Sequence, residues 1–479
     1  MTPRIDVLPL LPELILAGFA ILALLLAGLR RAVPHAAFVA IALAGIAASA
    51  AAAVWLWGWD GEATVLGGMI WADRFAVVAR LVLLGTAAIG ILYAFDYFER
   101  LDELRAEIYP LLLFATLGMM LFTAASDLIV VFLALEILSL SLYVMVGFSN
   151  RLAAGEASLK YFLLGAFSSA FFLYGIAMTY GATATTNIPE MAVVLSGPGS
   201  RAIALVAVGL LLVGFGFKVA AVPFHMWTPD VYQGAPTAVT AFMSAGTKVA
   251  AFLALIRVLD VGFHALSWDW TPLVWALAAV SVIVGSLLAI AQTDVKRMLA
   301  YSSIAHAGFV LTGLTAADQS GIRAAMFYLV AYALMVLGAF GVVMLVSIRG
   351  EERTSLNAYR GLARSNPLLA GLMSLFLLSL AGIPPAAGFI AKVAVFQAAI
   401  GAGNWLLVLI GVLASVVSAF FYLRVMVLMY MVPSEEAAEL HPPLVARAAI
   451  AIPAALTLLL GVFPGLILGF LERAAIIRW

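Results

Sequence analysis

The chain has 479 residues, of which 65% are hydrophobic and 10% are charged, with 25 Lys and Arg balancing 25 Asp and Glu. A soluble globular protein is about half apolar and a quarter charged, so this chain has too few charges to cover a water-facing surface. The composition excludes a soluble enzyme and a disordered chain, the zero net charge excludes a nucleic-acid binder, and the absence of cysteine excludes disulfides and iron–sulfur ligation.

Fourteen apolar segments are candidates for membrane-crossing helices, each of which needs roughly 20 residues. They are predicted near 9–29, 35–57, 72–95, 108–125, 128–148, 158–180, 202–232, 236–259, 272–292, 297–316, 322–348, 367–400, 404–431 and 446–470. The segments lack the period-two alternation of barrel strands, which favours an all-α fold class. Because the connections are short, we expect a single polytopic membrane domain over 1–479 with no extramembrane domain.

Basic residues in the connections predict the orientation of the chain. Loops after odd-numbered segments hold Arg30, Arg31, Arg100, Arg105, Arg151, Lys296, Arg297, Arg349, Arg353, Arg360, Arg364 and Arg447. The even-numbered side holds Arg74, Arg201, Arg257 and Arg323. Since Lys and Arg are enriched in cytoplasmic loops, we expect both termini to lie on the periplasmic side of a bacterial inner membrane.

The five lysines are distributed differently from the arginines. Lys160, Lys218, Lys248 and Lys392 fall within predicted spans, whereas Lys296 is expected in a loop. A desolvated lysine can release its proton near neutral pH, whereas arginine stays charged. A cation at the bilayer centre costs at least about 2.5–3.5 kcal/mol, so the lysines within the spans are candidates for function.

Two charged residues lie near the middle of their predicted helices. Lys248 occupies the midpoint of the eighth span, too deep for its side chain to reach the interface, and its neighbours are small. Glu136 lies at the middle of the fifth span, where a carboxylate needs a partner. We predict proton-transfer roles for both residues, and a purely structural buried ion pair is the alternative for Glu136.

The seventh and twelfth spans are too long for one crossing and contain prolines. The seventh carries Lys218, Pro223 and His225, and the twelfth carries a Pro-Pro pair ahead of Lys392. Proline removes a backbone donor and frees a carbonyl, which persists in a membrane only beside water, polar partners or protein. We therefore expect discontinuous helices beside hydrated cavities, where His225 is a candidate proton shuttle or, alternatively, a packing histidine.

Lys160 and His306 are further candidates for the proton path. Lys160 lies near the start of the sixth span. The alternative to a role in proton transfer is that its long side chain extends to the cytoplasmic surface. His306 follows a polar run in the tenth span, where a hydrogen-bonded core histidine is the alternative.

The two broken spans are five positions apart, so equivalent helices would run in opposite directions. Discontinuous helices in corresponding positions are typical of the inverted repeats of transporters. We predict three N-terminal helices over 1–107, one five-helix repeat over spans 4–8 (108–259), a second over spans 9–13 (272–431) and a C-terminal helix over 446–470. The sequence has no phosphate-cradling glycine loop, haem-spaced histidine pair or carboxylate cluster, so we expect no cofactor or metal in this chain.

Three stretches of this sequence resemble the antiporter-like subunits of respiratory complex I. They are KVAAVPFHMWTPDVYQGAPT (218–237), KRMLAYSSIAHAG (296–308) and AGIPPAAGFIAK (381–392). The resemblance covers nearly the whole chain, and the first stretch is the most specific. The length, without a long lateral helix after the last span, resembles the smaller subunit types, and Lys392 resembles the type that carries lysine rather than glutamate there.

The resemblance implies a fourteen-helix fold and proton translocation driven by NADH oxidation and quinone reduction elsewhere in the complex. It also implies that flavin, iron–sulfur clusters, NADH and quinone are bound by partner subunits. The expected partners are other membrane-arm subunits, including the L- and M-type and small membrane subunits, and the lipid bilayer. By position, the resemblance implies an uptake pair at Glu136 and Lys218 with Lys160 alongside, a central relay at Lys248, groups near the hydrated axis at His225 and His306, and an exit at Lys392.

We predict a lateral row of titratable groups at mid-membrane, formed by Glu136, Lys218, Lys248, His306 and Lys392. Moving one elementary charge against 100 mV takes about 2.3 kcal/mol, which burial and ion pairing can supply. One alternative is a subunit of a standalone cation/proton antiporter. Copurification of peripheral redox subunits with this chain would exclude that alternative. The other is a structural scaffold whose buried charges only orient neighbouring helices.

Overall fold

A computed structural model of the chain describes residues 7–29, 33–59, 61, 63–103, 105–197, 201–346, 352–433 and 443–476. The first helices are α1 (Leu11–Gly28), α2 (His35–Trp55), α3 (Arg74–Arg100), α4 (Ile108–Ala124), α5 (Leu128–Val146), α6 (Leu152–Thr183), α7 (Ile188–Leu195), α8 (Arg201–Val219) and α9 (Trp227–Gly234). They are followed by α10 (Thr237–Ile256), α11 (Ser267–Ile290), α12 (Val295–Leu314), α13 (Gln319–Val346), α14 (Leu362–Ser365), α15 (Pro367–Ala381), α16 (Ala387–Gly401), α17 (Trp405–Met431), α18 (Leu444–Val462) and α19 (Gly465–Ala474). A π-helical turn, Arg257–Gly262, extends α10.

Between α2 and α3 the chain forms a small antiparallel hairpin of two strands, β1 (Thr64–Val65) and β2 (Ile70–Trp71). Within the described ranges, eleven helices are long and apolar enough to cross a membrane, and α4, α15 and α16 are apolar but shorter. Each predicted span overlaps one helix or a broken pair of helices. The helical membrane fold is confirmed, whereas the exact number of crossings, the inverted repeats and the domain boundaries stay predictions.

The orientation of the chain also stays a prediction. Arg30, Arg31 and Arg349, which contribute to the charge asymmetry, lie outside the described residues. The expectation that Lys296 lies in a loop is wrong, because it is the second residue of α12 and is fully buried.

Both expected helix breaks are confirmed. α8 ends at Val219 and α9 begins at Trp227, on either side of Pro223, and α15 ends at Ala381 before α16 begins at Ala387. Proline cannot donate a backbone hydrogen bond and clashes with the preceding turn, which explains why each helix stops there. Gly382, just past the end of α15, has a φ of +86°, a left-handed conformation that favours glycine.

Three helices form the centre of the bundle. α10 is buried along its whole length, and α12 and α13 are nearly so. α1, α6 and α17 expose most of their surface, as expected for helices at the lipid-facing periphery. Lys248 of α10 and His306 of α12 therefore lie on the most enclosed helices.

Close approach of α11 and α12 depends on glycine. A Cβ at Gly308 would lie 2.8 Å from the carbonyl oxygen of Ala278, and a Cβ at Gly285 would lie 2.5 Å from the backbone nitrogen of Ala305. Small residues at such crossings allow helix backbones to pack directly together. This contact fixes α12, and with it His306, against the neighbouring helix.

Candidate functional site

Lys218 is buried near the end of α8, just before the first helix break. Its Nζ donates hydrogen bonds to Ser139 Oγ at 2.8 Å and to Tyr161 OH at 3.4 Å. The same ammonium lies 5.3 Å from the ring centroid of Tyr161 and 5.8 Å from that of Tyr143. Hydroxyls and aromatic faces therefore replace a carboxylate as the immediate surroundings of this cation.

Glu136 is half-buried on α5 and accepts a hydrogen bond from Ser169 Oγ at 2.5 Å. Within the described residues, no ion pair of 4.0 Å or less joins it to Lys218. Ser139 lies three residues after Glu136 and hence on the same face of α5. The two predicted uptake residues thus have different hydrogen-bond partners, Ser169 for Glu136 and Ser139 for Lys218, and no hydrogen bond within the described residues joins the two side chains.

Lys160 lies in an ionic cluster at one end of the bundle. Its side chain is 44% exposed and pairs with Glu156 at 2.7 Å and Asp230 at 2.9 Å. Asp230 also pairs with Arg297 at 2.6 Å. Lys160, Glu156 and Asp230 line a cavity of about 220 Å³. The structure therefore separates Lys160 from Glu136, although its neighbour Tyr161 reaches Lys218.

His225 lies in the break between α8 and α9 and is buried. Its Nδ1 makes no hydrogen bond with any described residue, so that atom is available to water. Within the described part of the chain, His225 forms no ion pair with another predicted site residue.

Lys248 is buried at mid-helix in α10, and its Nζ donates to the backbone carbonyl oxygen of Ser303 on α12. It also lies 5.7 Å from the ring centroid of Tyr332 on α13. The Ser303 and Tyr332 hydroxyls are buried and make no hydrogen bond with the described residues. Both are therefore available to water beside Lys248.

His306 is held between two tyrosines in the interior. Its Nδ1 lies 2.7 Å from Tyr328 OH, and its Nε2 lies 3.3 Å from Tyr422 OH. Tyr422 OH also bonds with Ser302 Oγ, one turn before the histidine. A hydroxyl donates or accepts, so this arrangement accommodates either neutral tautomer of the imidazole.

Lys392 lies on α16, directly after the second break. Its Nζ donates to the carbonyl oxygen of Ala381, the last residue of α15, at 2.8 Å. It lies 4.7 Å from the ring centroid of Phe309, whose ring contacts His306 at a centroid distance of 5.9 Å. The lysine therefore satisfies a carbonyl at the helix end and faces the histidine across one phenylalanine.

Three of the four buried lysines share one property, and the exception is Lys296, which pairs with Glu352. In the part of the chain that the structure describes, Lys218, Lys248 and Lys392 hydrogen-bond neutral oxygens and pair with no carboxylate within 4.0 Å. By contrast, buried arginines have acidic partners: Arg80 pairs with Glu13 at 2.7 Å, and Arg257 pairs with Asp73 at 2.6 Å. The arginines are neutralised within the bundle, whereas these lysines are not.

Sequence reasoning missed Glu352, a buried carboxylate that joins four helices. It accepts hydrogen bonds from Thr237 N at 2.9 Å and Thr237 Oγ1 at 2.6 Å, and it contacts Tyr97 OH. It pairs with Arg151 at 2.5 Å and with Lys296 at 3.3 Å. The available signal was an acid within a loop otherwise rich in arginine, which gives no indication of its partners.

The electrostatics of Glu352 follow from these contacts. Burial alone would raise the pKa of its carboxyl, but Lys296, Arg151 and the hydrogen bonds lower the pKa to about 2. It therefore stays ionised and locks the starts of α6, α10 and α12, the helices that carry Lys160, Lys248 and His306. Among the described residues, no group of three or more His, Asp or Glu side chains is placed to hold a metal ion.

The chain is similar to known membrane proteins. A family model described as "NADH:quinone oxidoreductase/Mrp antiporter, TM" matches residues 125–418. A relative named NADH-quinone oxidoreductase subunit N, from Trichlorobacter lovleyi, is 46% identical over 406 residues, covering 84% of this chain and 83% of the relative. A relative of the same name from Acidothermus cellulolyticus is 51% identical over 376 residues, covering 77% of this chain and 72% of the relative.

A solved structure is similar over almost the whole chain. One chain of respiratory complex I from Thermus thermophilus with bound aureothin is 38% identical, with a TM-score of 0.81, and the match covers 96% of this chain and 99% of that chain. The similarity extends through both helix breaks and the central helices.

Proposed function

The chain belongs to the NADH:quinone oxidoreductase/Mrp antiporter transmembrane family, and we propose that it is the N-type membrane-arm subunit of a proton-translocating NADH:quinone oxidoreductase. Protons move along Glu136, Lys218, Lys248, His306 and Lys392. The redox chemistry takes place in partner subunits, which hold flavin, iron–sulfur clusters, NADH and quinone. The complex lies in a bacterial inner membrane with other membrane-arm subunits around this chain.

The observation that carries this proposal is the row of buried lysines bound only to neutral oxygens. An amine held by a carbonyl or hydroxyl exchanges its proton without breaking an ion pair, which a carboxylate partner would oppose. Buried cations are expensive in a membrane, so an unneutralised lysine is retained for a function rather than for stability.

The uptake step involves Glu136, Ser139 and Lys218. A proton arriving on Glu136 removes the negative charge that attracts the Lys218 ammonium. Ser139, which accepts from Lys218, lies one turn after Glu136 on the same face of α5, so the change of charge at the carboxylate acts on the ammonium through space. Lys218 is then free to pass its proton onward.

The central step runs from Lys248 to His306. Lys248 donates to the Ser303 carbonyl oxygen, and the unpartnered hydroxyls of Ser303 and Tyr332 lie beside it. Tyr332 contacts His306 with ring centroids 5.2 Å apart. Water bound to these hydroxyls provides a hydrogen-bonded connection between the lysine and the imidazole.

The exit step crosses Phe309. This ring contacts both His306 and the Lys392 ammonium, so it separates the two groups. Displacement of the ring opens a direct or water-mediated transfer to Lys392, and its return prevents backflow. The free-energy requirement is modest, since one elementary charge against 100 mV takes about 2.3 kcal/mol.

The test uses the assembled complex in proteoliposomes, with NADH-driven acidification and NADH oxidation measured together. Lys248→Ala is expected to abolish proton transport by this route while the complex assembles normally. Ser286→Ala, which removes a buried hydrogen bond between α11 and Ser418 of α17 but changes no titratable group, is the control and is expected to pump normally. Unchanged pumping by an assembled Lys248→Ala complex would overturn the relay.

A second measurement separates complex I from a standalone antiporter. Affinity purification through this chain is expected to recover peripheral subunits with flavin and iron–sulfur absorption. Recovery of membrane subunits alone, with no flavin, would contradict the assignment to an NADH-driven complex.

A further inference from the structure

An apolar groove opens at the periphery of the bundle between α3, α13, α18 and α19. It has a volume of about 430 Å³. Its walls include Leu81, Ile89, Leu334, Leu337, Leu456 and Ile467. The hydroxyl of Thr86, which also lines it, is satisfied by the carbonyl oxygen of Val82 at 2.9 Å. The groove therefore offers an apolar guest no polar partner.

Gly85 leaves the floor of this groove open. It lines the groove, is exposed, and a Cβ built on it would have no atom within 4 Å. A longer side chain at this position would project into the groove instead of into the protein.

Two arginines lie beyond one end of the groove. Arg74 is the first residue of α3, Arg473 lies near the end of α19, and both line a neighbouring cavity of about 60 Å³. At 1.5 Å per residue, Leu81 lies about 10 Å along α3 from Arg74, and Ile467 lies about 9 Å along α19 from Arg473. Both helices thus present an arginine at the same end and a groove residue farther along.

Neither arginine is neutralised by a described carboxylate. Arg74 donates to the Trp57 carbonyl oxygen at 3.4 Å and lies 5.5 Å from the Trp57 ring centroid, and no ion pair within the described residues includes Arg74 or Arg473. Asp73, which also lines the cavity, pairs with Arg257. Asp60 and Glu62 lie outside the described residues.

We propose that this surface binds an anionic phospholipid, with the phosphate between Arg74 and Arg473 and one acyl chain in the groove. Guanidinium groups recognise phosphate oxygens through paired N–H donors, and the apolar walls receive the hydrocarbon. Trp57, which packs edge-on against Phe470 with ring centroids 5.6 Å apart, places an aromatic pair beside the headgroup, as is typical of a membrane–water interface.

The first part of the test fills the proposed acyl-chain groove with a larger side chain. Purified complex is delipidated mildly, incubated with dioleoyl phosphatidylglycerol or dioleoyl phosphatidylcholine, and the retained lipid is counted by native mass spectrometry. Gly85→Leu is expected to lose one bound phosphatidylglycerol, whereas Gly18→Leu, at an equally open and exposed glycine on α1, is expected to keep it. Gly85→Ala, with a smaller expected loss, replaces the leucine variant if that complex does not assemble.

The second part of the test removes the two arginines proposed to bind the lipid headgroup. Each arginine near an anionic lipid contributes roughly fivefold, so Arg74→Gln with Arg473→Gln is expected to weaken phosphatidylglycerol retention about 25-fold relative to phosphatidylcholine. Arg360→Gln with Arg364→Gln, two exposed arginines on elements that do not line the groove, is the control. Equal retention of both lipids by the wild-type complex, unchanged selectivity in the double variant, or recovery of a quinone or a partner-subunit helix from the groove would each overturn the proposal.

Discussion

Lys392 on α16 donates a hydrogen bond to the carbonyl oxygen of Ala381, where α15 ends, at 2.8 Å. The carbonyls at the end of a helix have no partner within that helix. One side chain therefore satisfies the broken helix and also supplies the last titratable group of the proposed path. The break and the lysine depend on each other.

Replacing Lys392 with methionine tests this dependence. The variant keeps the apolar stem and leaves the Ala381 carbonyl unsatisfied, which costs about 1–3 kcal/mol, but it also removes a buried cation whose cost in the membrane is at least about 2.5–3.5 kcal/mol. Thermal unfolding of the purified complex is therefore expected to show no net loss of stability, whereas acidification of proteoliposomes is expected to fall. Gln397→Met, at an exposed position on the same helix, should change neither quantity. Full pumping by Lys392→Met would exclude the lysine from the path.

Ser139→Ala tests the hydrogen bond that holds Lys218 beside the helix of Glu136. Lys218 loses an acceptor at 2.8 Å, and hydrogen bonds to charged groups contribute about 1.5–3 kcal/mol, so proton transport is expected to slow at least about tenfold. Ser141 lies on the same helix and bonds only the Ile137 carbonyl oxygen within it, so Ser141→Ala is the matched control. If both variants pumped equally, the hydrogen bond from Lys218 to Ser139 would have no role in proton uptake.

Tyr328→Phe tests how His306 is positioned. The substitution removes the hydroxyl 2.7 Å from Nδ1 and preserves the ring. We expect slower pumping and a displaced pH dependence of the pumping rate, because the imidazole loses the group that orients one tautomer. Tyr301→Phe on α12, whose hydroxyl has no role in the proposed path, is the control. A pH profile identical to the wild type would limit Tyr328 to packing.

Glu352 predicts how stability depends on pH. Its pKa is lowered from 4.5 to about 2, so the unfolded chain gains a proton below about pH 4.5 while the folded chain does not. Stability from this group is therefore complete above about pH 4.5 and is lost as the pH falls towards 2, a change of about 3 kcal/mol. Thermal unfolding between pH 3 and 7 should show this fall in stability at low pH, which forms the acid limb of the pH profile.

Glu352→Gln is expected to flatten that limb and to lower stability at neutral pH, since Lys296 and Arg151 lose their shared anion. Glu156→Gln, at a side chain that is 63% exposed, should leave the profile unchanged because solvent screens its ion pair with Lys160. An acid limb that survives in Glu352→Gln would assign the effect to another carboxylate.

Local patterns were sufficient to predict the long apolar helices and their two breaks, and they selected the candidate site residues. Long apolar segments, Pro223, and the prolines before Lys392 act on their own stretch of chain, which is why those predictions needed no contacts. The partners of the candidates were not predictable in this way. Ser139 lies 79 residues from Lys218, and Ser303 lies 55 residues from Lys248.

The sequence by itself determined a helical membrane protein with lysines inside its spans, because hydrocarbon forces each backbone segment to satisfy its own hydrogen bonds. Only the tertiary structure decided that these lysines bind neutral oxygens, that Lys160 joins an exposed ionic cluster, and that Glu352 locks four helices together. Those outcomes depend on which helix faces which, and that arrangement follows from packing such as the glycine contacts between α11 and α12. Hydropathy determines that a helix crosses the membrane, and packing determines what its charged side chains meet.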